Sequence, residues 1–572
     1  MIPAHQPSKV VAIFLAQFDV HSGYKLVWSK SILDDFDFKG LDYKGLPSGI
    51  HETTQSTILI SHVLEKLYYG VSRFRRYIVG EETGESDSAT SPDRDNVKMY
   101  SLGILCDPME EKDQTKSWKP NEFINNGWEY IDILDAELAL FIQNDTSYEG
   151  LANLFAEMVS DSSKKTANSS HSRFSTNSPF TPNINNHLLT KLPNLFEMAG
   201  PLLFTLYKQS LLRKRILIFN KNNYQEADQE PDHDYYFILN SFTYLISLLS
   251  IIPQNISTIS KDEKKNSYSQ PIYNVGLQDL SDSGLLEMKG YVGTTNDEIL
   301  LYQKDLYDIA VIINGKNKDE LTTVLDAKDI GAYVDVTKRI KATSKDYFKF
   351  KSIYKDLFAS KSGPFPSQRT FTNHSNLSTD DLNSINTSEE LHSIKMCDFS
   401  EPSFEEPSWW LNYSTESISW RESIWSAFSW FASAGQVENA PQSTTPTPKK
   451  RDADLDLDLL QLINIVGYFH KLTKKWIYLI NEIVLEQLED QRGCTNNDID
   501  IGGDDDMNAS LISSLTSNNK INIELTYQDL VDMELDPYSY QDLDFVRDFV
   551  LLYWGSVVDN VEIGIGFNGV CC

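Results

Sequence analysis

The sequence predicts an α/β protein made of separate folded blocks joined by long polar tracts. Three observations carry that prediction. From Val10 to Cys106 the chain is a succession of short apolar runs divided by turn-like residues, the signature of strands, and helical spacing takes over only afterwards. A second block, from about Lys191 to Phe358, mixes strands and helices. A third, opening at Leu455, carries apolar residues at helical spacing from Leu459 to Ile483.

In chain order, Val10–Phe18, a turn at Asp19–Gly23 and Tyr24–Trp28 predict a β-hairpin. Further strands are expected at Thr57–Ser61, Tyr68–Val79 and Met99–Cys106, the last two separated by the polar loop Glu81–Asn96. Trp128, Ile131, Leu134, Leu138, Phe141 and Ile142 share one helical face, and Leu151, Leu154, Phe155 and Met158 another. A hairpin-led sheet followed by helices is an α+β or α/β sandwich. In the second block a helix opens at Gly200–Pro201, with Pro suited to a helix start. Arg213–Arg215 then leads into a strand at Ile216–Phe219, and Tyr291–Thr294, Ile299–Leu301 and Tyr307–Ile313 are further expected strands. The third block adds a second helix at Leu543–Trp554. Tracts rich in Ser, Asn and Thr, such as Ser160–Asn186 and Lys361–Glu406, bury too little apolar surface to offset their ordering entropy and are expected as linkers or disordered insertions.

Length and composition agree with this division. At 572 residues the soft prior is three to four domains of about 150 residues each. Hydrophobic residues make up 41% before the 27 glycines are added, which places the chain among globular proteins. A net charge of −31 argues against a nucleic-acid binder, which needs a basic surface to neutralise phosphates, but leaves room for a local basic face. The five cysteines (Cys106, Cys397, Cys494, Cys571 and Cys572) are sparse and form no C-x-x-C, so neither a disulfide framework nor a zinc site is expected and a reduced, cytoplasmic setting is. No signal peptide is read at the N-terminus, where Pro3 and Pro7 precede the apolar run and no small-residue cleavage site follows. The uncharged stretch Tyr235–Ile252 is the sole membrane-span candidate. Asn240, Ser241, Thr243, Ser247 and Ser250 dilute it, so a buried core helix is expected instead.

No catalytic constellation is found. Gly564-Ile-Gly566-Phe-Asn-Gly569 matches the dinucleotide fingerprint, but three residues remain after it and no helix can follow to hold a pyrophosphate. His51-Glu52 begins a zincin motif that Gln55 breaks. No cofactor or metal is implied. Three non-catalytic features stand out. Lys338–Lys355 holds Lys338, Arg339, Lys341, Lys345 and Lys349 among its cations, with Ile340, Tyr347, Phe350 and Tyr354 on an apolar side. It reads either as a solvated helix face or as a docking surface for anionic lipid or an acidic partner. Trp409, Trp410, Trp420, Trp425 and Trp430 cluster where they either pack on the C-terminal helices or meet a membrane or partner. The terminal pair Cys571-Cys572 offers thiols for lipidation, without a C-a-a-X arrangement.

Several segments taken together resemble the DENN superfamily, and its LCHN-like branch in particular. Gln17-Phe-Asp-Val20 with Gly23 and Val27-Trp28 is similar to the opening of that superfamily's longin-like module, Leu46-Pro-Ser-Gly-Ile-His51 to its connector, and Met99-Tyr-Ser-Leu-Gly-Ile-Leu105 to its later strand. Gly200-Pro201 through Leu211-Leu-Arg-Lys-Arg-Ile-Leu217 resembles a run of the DENN core, as do Gly290–Ile299 and Leu306-Tyr-Asp308. The five occur in the family's order across roughly residues 8–355. The tryptophan stretch and the Cys-ending tail resemble the LCHN-type extension.

The resemblance implies a longin-like domain at 8–159, a linker at 160–190, a DENN core at 191–358, a Trp-bearing linker at 359–454 and a helical C-terminal extension at 455–572. It also implies a regulator of a Rab-type small GTPase in vesicle trafficking. Such an exchange factor grips the switch regions, disrupts the magnesium and phosphate contacts and makes no covalent bond. The alternative is a scaffold or tether of the same fold that binds GTPases or membranes without exchange. Asp297, Glu298, Tyr307 and Asp308 in the matched core are the candidate GTPase contacts. A partner longin or DENN protein and a peripheral position on endomembranes belong to the same set of expectations.

Overall fold

The computed structural model describes residues 8–19, 21–78, 97–108, 124–143, 147–164, 182–220, 235–252, 268–281, 283–303, 305–313, 322–326, 340–359, 415–416, 453–493 and 520–564. The architecture is α/β, as expected.

The N-terminal unit is a five-stranded antiparallel sheet. Strands β1 (Val10–Asp19) and β2 (Gly23–Ser31) form the expected hairpin, closed where Asp19 faces Gly23. Asp19 fixes the turn by accepting from the amides of His21 and Ser22 and from the Ser22 hydroxyl, which hold its carboxyl down at about 2. A short helix α1 (Leu41–Gly45) leads to β3 (Gln55–Val63), β4 (Leu67–Ile78) and β5 (Val97–Cys106), giving the order β2-β1-β5-β4-β3. Strand alternation sends Ile13, Leu15, Val71, Leu102 and Ile104 to one face and Ala12, Phe14, Ile58, Ile60 and Phe74 to the other. The first face is covered by α2 (Ile131–Gln143) and α3 (Glu149–Lys164), the second by α1. Helix α3 therefore continues five residues, Ser160 to Lys164, into the tract expected as a linker. On the α1 face the Phe14 ring lies against Gly103, where an added Cβ would sit 2.5 Å from it; glycine is the residue that admits so close an approach.

The second unit begins with α4 (Leu192–Ala199) and α5 (Leu202–Leu211), then β6 (Ile216–Asn220). The candidate membrane span is helix α6 (Tyr235–Leu249), buried from Tyr236 onward except at Ile238. It lies between β3 of the first sheet and β7 (Gln270–Ile272) and β8 (Tyr291–Thr295) of the second, a position that accounts for a helix apolar all round. No described helix is long and apolar enough to cross a membrane. Helix α7 (Ser283–Glu287), β9 (Ile309–Ile313) and β10 (Thr322–Asp326) complete a sheet of order β10-β9-β6-β8-β7, parallel apart from β10. The expected strand Ile299–Leu301 is instead part of a 3₁₀ turn, Glu298–Tyr302: Leu300 and Leu301, adjacent in sequence, are both buried, which a two-residue period does not allow.

Helix α8 (Ser344–Ala359) packs on α5, and α9 (Ala453–Gly493) packs on α6 and α8. The C-terminal block is not wholly helical. Strand β11 (Ile521–Thr526) runs parallel to β12 (Val558–Gly564), with α10 (Tyr527–Asp532) and α11 (Tyr540–Trp554) between them, a βαβ unit. The second unit and this block share one core. Tyr207 donates to the Phe469 carbonyl at 3.0 Å, Trp476 to the Met533 carbonyl at 2.6 Å and Tyr553 to the Leu211 carbonyl at 2.7 Å. Inside it lies a buried charge cluster. Lys208 of α5 meets Asp346 of α8 and Asp542 of α11, each at 2.5 Å, and Lys349 meets the other oxygen of Asp346 at 3.0 Å. Burial works against both charges, but Lys208 and Lys349 hold the Asp346 carboxyl down at about 2, and the two aspartates raise the Lys208 ammonium above its ordinary value.

Candidate functional site

In an open parallel sheet, ligands bind at the carboxyl ends of strands whose connections leave in opposite directions. With spatial order β9-β6-β8-β7 and chain order β6 to β9, that point lies between β6 and β8. Here a side-chain bridge spans it. Asn220, ending β6, donates to Asn296, just past β8, at 3.0 Å, and the Tyr235 hydroxyl donates to Asn220 at 3.0 Å. Asn296 in turn donates to the Ser48 carbonyl of the N-terminal unit at 3.0 Å. The switch point therefore serves as a joint between the two sheets.

Asn274, just past β7, is the second joint. Its backbone lies in the left-handed region at φ 50, a conformation asparagine tolerates better than most residues. Its amide donates to the Leu59 carbonyl of β3 at 2.9 Å and accepts from Asn240 of α6 at 3.1 Å. Its own carbonyl accepts from Lys44 of α1 at 2.9 Å. Lys44 is buried and also pairs with Asp279 at 2.6 Å, so one ammonium ties both units. Ser61 adds a reciprocal pair, accepting from the Tyr273 amide at 2.9 Å and donating to its carbonyl at 3.2 Å.

Above these joints the units leave a cleft of about 230 Å³. Tyr24, Tyr43 and Leu46–Ser48 form one wall, and Asn274–Gln278, Asn296 and Asp297 the other. The volume falls below the roughly 300–1,000 Å³ of small-molecule pockets. The rim is apolar and exposed: Leu277 on one side, Tyr43 on the other, and Ile299 at 55% exposure two residues beyond Asp297. Asp297 is half-buried, and burial raises its carboxyl above the ordinary value even though the Ser48 hydroxyl and the Leu277 amide bond to it. Burial, and after it the Asp297 charge, raises the Tyr24 phenol across the cleft. A small acidic cleft with an apolar lip suits a protein surface better than a small ligand.

The four core candidates divide between two ends of the sheet. Asp297 and the exposed Glu298 sit past β8 at the cleft. Tyr307 and Asp308 precede β9, at the opposite end of the parallel strands. Tyr307 is buried, packs edge-on against Phe219 with ring centroids 5.4 Å apart and donates to the Leu301 carbonyl, which anchors the turn bearing Glu298 and Ile299. Asp308 pairs with Arg215 at 3.0 Å and accepts the Arg215 amide at 2.8 Å; burial opposes its ionisation, and these bonds outweigh it, leaving its carboxyl below the ordinary value.

Of the basic segment, Lys341, Lys345, Lys349, Lys351 and Lys355 are described. Lys349 turns inward to Asp346, to the Glu534 carbonyl at 2.9 Å and over the Phe204 ring, whereas Lys341 and Lys345 are half-exposed. Lys338, Arg339, Cys571, Cys572 and the five clustered tryptophans lie outside the described residues. Lys44 and Asn274 were not singled out by sequence reasoning. The one available signal was proximity, because Lys44 lies just before the Leu46–His51 connector.

The architecture is that of an α/β scaffold whose two five-stranded sheets meet at a seam carrying a small cleft. A family model described as DENN domain-containing protein 11 matches residues 13–321, more than half of the chain, and a second, a domain of unknown function designated DUF4484, matches residues 415–571. The chain belongs to the DENN domain-containing protein 11 family, and so to the DENN superfamily. Among curated proteins it is similar to "Uncharacterized protein ANR2" of Saccharomyces cerevisiae, 28% identical over 328 residues, or 54% of this chain and 59% of that one. It is also similar to "Uncharacterized protein C119.16c" of Schizosaccharomyces pombe, 24% identical over 371 residues, covering 61% of this chain and 72% of that protein. The match to the budding-yeast relative thus spans less than two thirds of that relative's length.

Proposed function

We propose that this protein is a guanine-nucleotide exchange factor for a Rab-type small GTPase in vesicle trafficking, and that the seam cleft receives the GTPase. DENN membership supports the class of partner. The observation that carries the choice of site is the 3₁₀ turn Glu298–Tyr302, which presents Ile299 and Tyr302 outward beside the carboxylates of Asp297 and Glu298. Apolar side chains at the centre of such a patch supply most of the affinity, and the flanking charges set register.

Exchange needs no bond chemistry. Carboxylates placed against the GTPase phosphate site would compete with the nucleotide's phosphates for the same cationic and amide donors and for the magnesium ion, and the nucleotide-free state would be held until GTP displaced them. In this reading Asp297 and Glu298 touch the GTPase, Tyr307 positions their turn, and Asp308 with Arg215 fixes the strand ends behind it.

The test is release of a fluorescent guanosine diphosphate from a panel of purified Rab GTPases in the presence of the full chain. Faster release for one member supports the reading. No acceleration across the panel, with binding retained to a GTP-loaded member, assigns the chain to the scaffold alternative instead.

A further inference from the structure

The half-buried carboxylate of Asp297 has no cation of its own. Among the described residues no lysine or arginine forms an ion pair with it, and burial is the largest influence on its carboxyl, raising it above the ordinary value. Lys44 is near enough to act on it, but that ammonium is committed to Asp279 at 2.6 Å and to the Asn274 carbonyl at 2.9 Å. The Ser48 hydroxyl and the Leu277 amide hold the carboxylate in place. An ionised carboxylate has about four acceptor sites, so these two bonds leave roughly two for a guest. The facing wall is aromatic. Tyr24 and Tyr43 lie with ring centroids 4.7 Å apart at an interplanar angle of 43°, and the Phe18 ring packs edge-on against Tyr24 at 5.2 Å. Leu46 and Leu277 add apolar surface, Leu277 at the exposed lip.

We propose that the cleft is a socket for a single arginine side chain of the bound GTPase, its guanidinium between the Asp297 carboxylate and the tyrosine rings and its stem along Leu46 and Leu277. This rests on the reading of the cleft as the GTPase's docking site, and gives that site its partner chemistry. Volume sets the size of the guest: about 230 Å³ is below the range of small-molecule pockets, which leaves one protruding side chain. Charge sets its sign, since the carboxylate has paid the cost of burial without a cation to offset it. The tyrosines choose between the two cations. A guanidinium is planar and weakly hydrated, and it stacks on an aromatic ring while donating two hydrogen bonds to one carboxylate. An ammonium is a strongly hydrated point charge that gives up more water to enter. The aliphatic part of an arginine also suits the apolar lip that its head must pass.

Two measurements test this, one with arginine alone and one with the GTPase. In the first, the full chain carrying fluorotyrosine in place of Tyr24 is titrated with Nα-acetyl-arginine amide and, separately, with Nα-acetyl-lysine amide, and fluorine NMR follows the ring. The expected result is a saturable shift with the arginine amide and a weaker response to the lysine amide. D297N should abolish the shift, and Y43L should weaken arginine binding about twofold to fivefold. Neither variant should lower the melting temperature, Tyr43 being exposed and position 297 keeping an acceptor as asparagine. No saturable shift, an equal response to lysine, or a response that survives D297N would overturn the proposal. In the second, each surface arginine of the GTPase that responds in the exchange assay is changed to alanine, and binding is measured to the parent chain and to D297N. One such change should cost at least about tenfold against the parent and about twofold or less against D297N. Binding in which no arginine is coupled to Asp297 would overturn the socket and leave docking intact. Absence of binding by every GTPase of the panel would overturn the docking reading instead, and the titration separates the two cases because it needs no GTPase.

Discussion

The Lys44 ammonium lies 2.6 Å from the Asp279 carboxylate, joining a helix beneath the first sheet to the loop that follows the edge strand of the second. The pair is buried on the lysine side and partly so on the aspartate side. Its attraction is therefore poorly screened, and the loss of either partner strands the other. The Asn274 carbonyl shares the same ammonium, so one side chain ties two points of the seam beneath the cleft.

Replacing Lys44 by methionine keeps the bulk and removes the charge. Folding stability should fall by about 2–3 kcal/mol, toward the lower end of values for broken buried pairs because Asp279 keeps some solvent and the Gly276 amide. Urea denaturation reads the change, and limited proteolysis should show the seam cut before either sheet. A loss below about 0.5 kcal/mol would mean the pair behaves as a surface bridge.

Lys208 should matter more. It is fully buried, and K208M leaves Asp346 and Asp542 facing each other with Lys349 as the remaining cation. A loss of roughly 3–5 kcal/mol is expected. The diagnostic is recovery: adding D542N to K208M removes the stranded charge and should restore part of the loss in thermal melts, whereas a purely steric role for Lys208 would show no rescue.

His470 on α9 donates to the Leu248 carbonyl of α6 at 2.7 Å, and burial lowers its ring to about 4 despite that bond. An unfolded histidine binds its proton near pH 6.5. Between the two values the unfolded chain holds more protons than the folded one, so this contribution is whole above pH 6.5 and is lost as pH falls toward 4, by up to about 3 kcal/mol. His62 is shifted in the same direction. The half-buried carboxylates Asp297 and Glu416 and the buried Asp542 are raised and so oppose the trend. The quantity to measure is therefore the difference between parent and H470Q, which should shrink steadily from pH 7 to pH 4. A constant difference would contradict the assignment.

Asp297 should separate binding from folding. Its raised carboxyl means that the ionised form carries a burial cost in the fold at neutral pH. D297N removes that charge and keeps an acceptor for Ser48 and Leu277, so stability should be unchanged or slightly higher. Affinity for the GTPase should nevertheless fall at least about tenfold, near 1.4 kcal/mol. Loss of both together would make Asp297 a structural residue.

Local patterns were legible in the sequence and long-range ones were not. The β1–β2 hairpin, the faces of α2 and α9 and the burial of α6 all follow from periods of two or 3.6 residues within a single element. The turn at Glu298–Tyr302 was misread because a short apolar run bounded by polar turns reads as a strand, and only the tertiary anchoring of Leu301 by Tyr307 shows which of its residues face inward. Asp542 lies 334 positions from Lys208, and Lys44 lies 235 from Asp279, separations over which no local pattern connects them. The β11–β12 pair escaped notice because its partners are separated by two helices. Half the candidate site, Asp297 and Glu298, came from motif likeness; the opposing wall at Tyr24, Tyr43 and Ser48 needed the fold.

The central claim is that a small GTPase docks on the Glu298–Tyr302 turn at the seam. Its most direct test is a photocrosslinking side chain placed at Ile299 of the full chain, and in a control at Leu140, which is equally exposed on α2 beyond the first sheet. With the GTPase that responds in the exchange assay, held nucleotide-free, the account predicts a crosslink from Ile299 that added guanosine diphosphate abolishes, and none from Leu140. Crosslinking from Leu140 alone, or from both positions regardless of nucleotide, would contradict it.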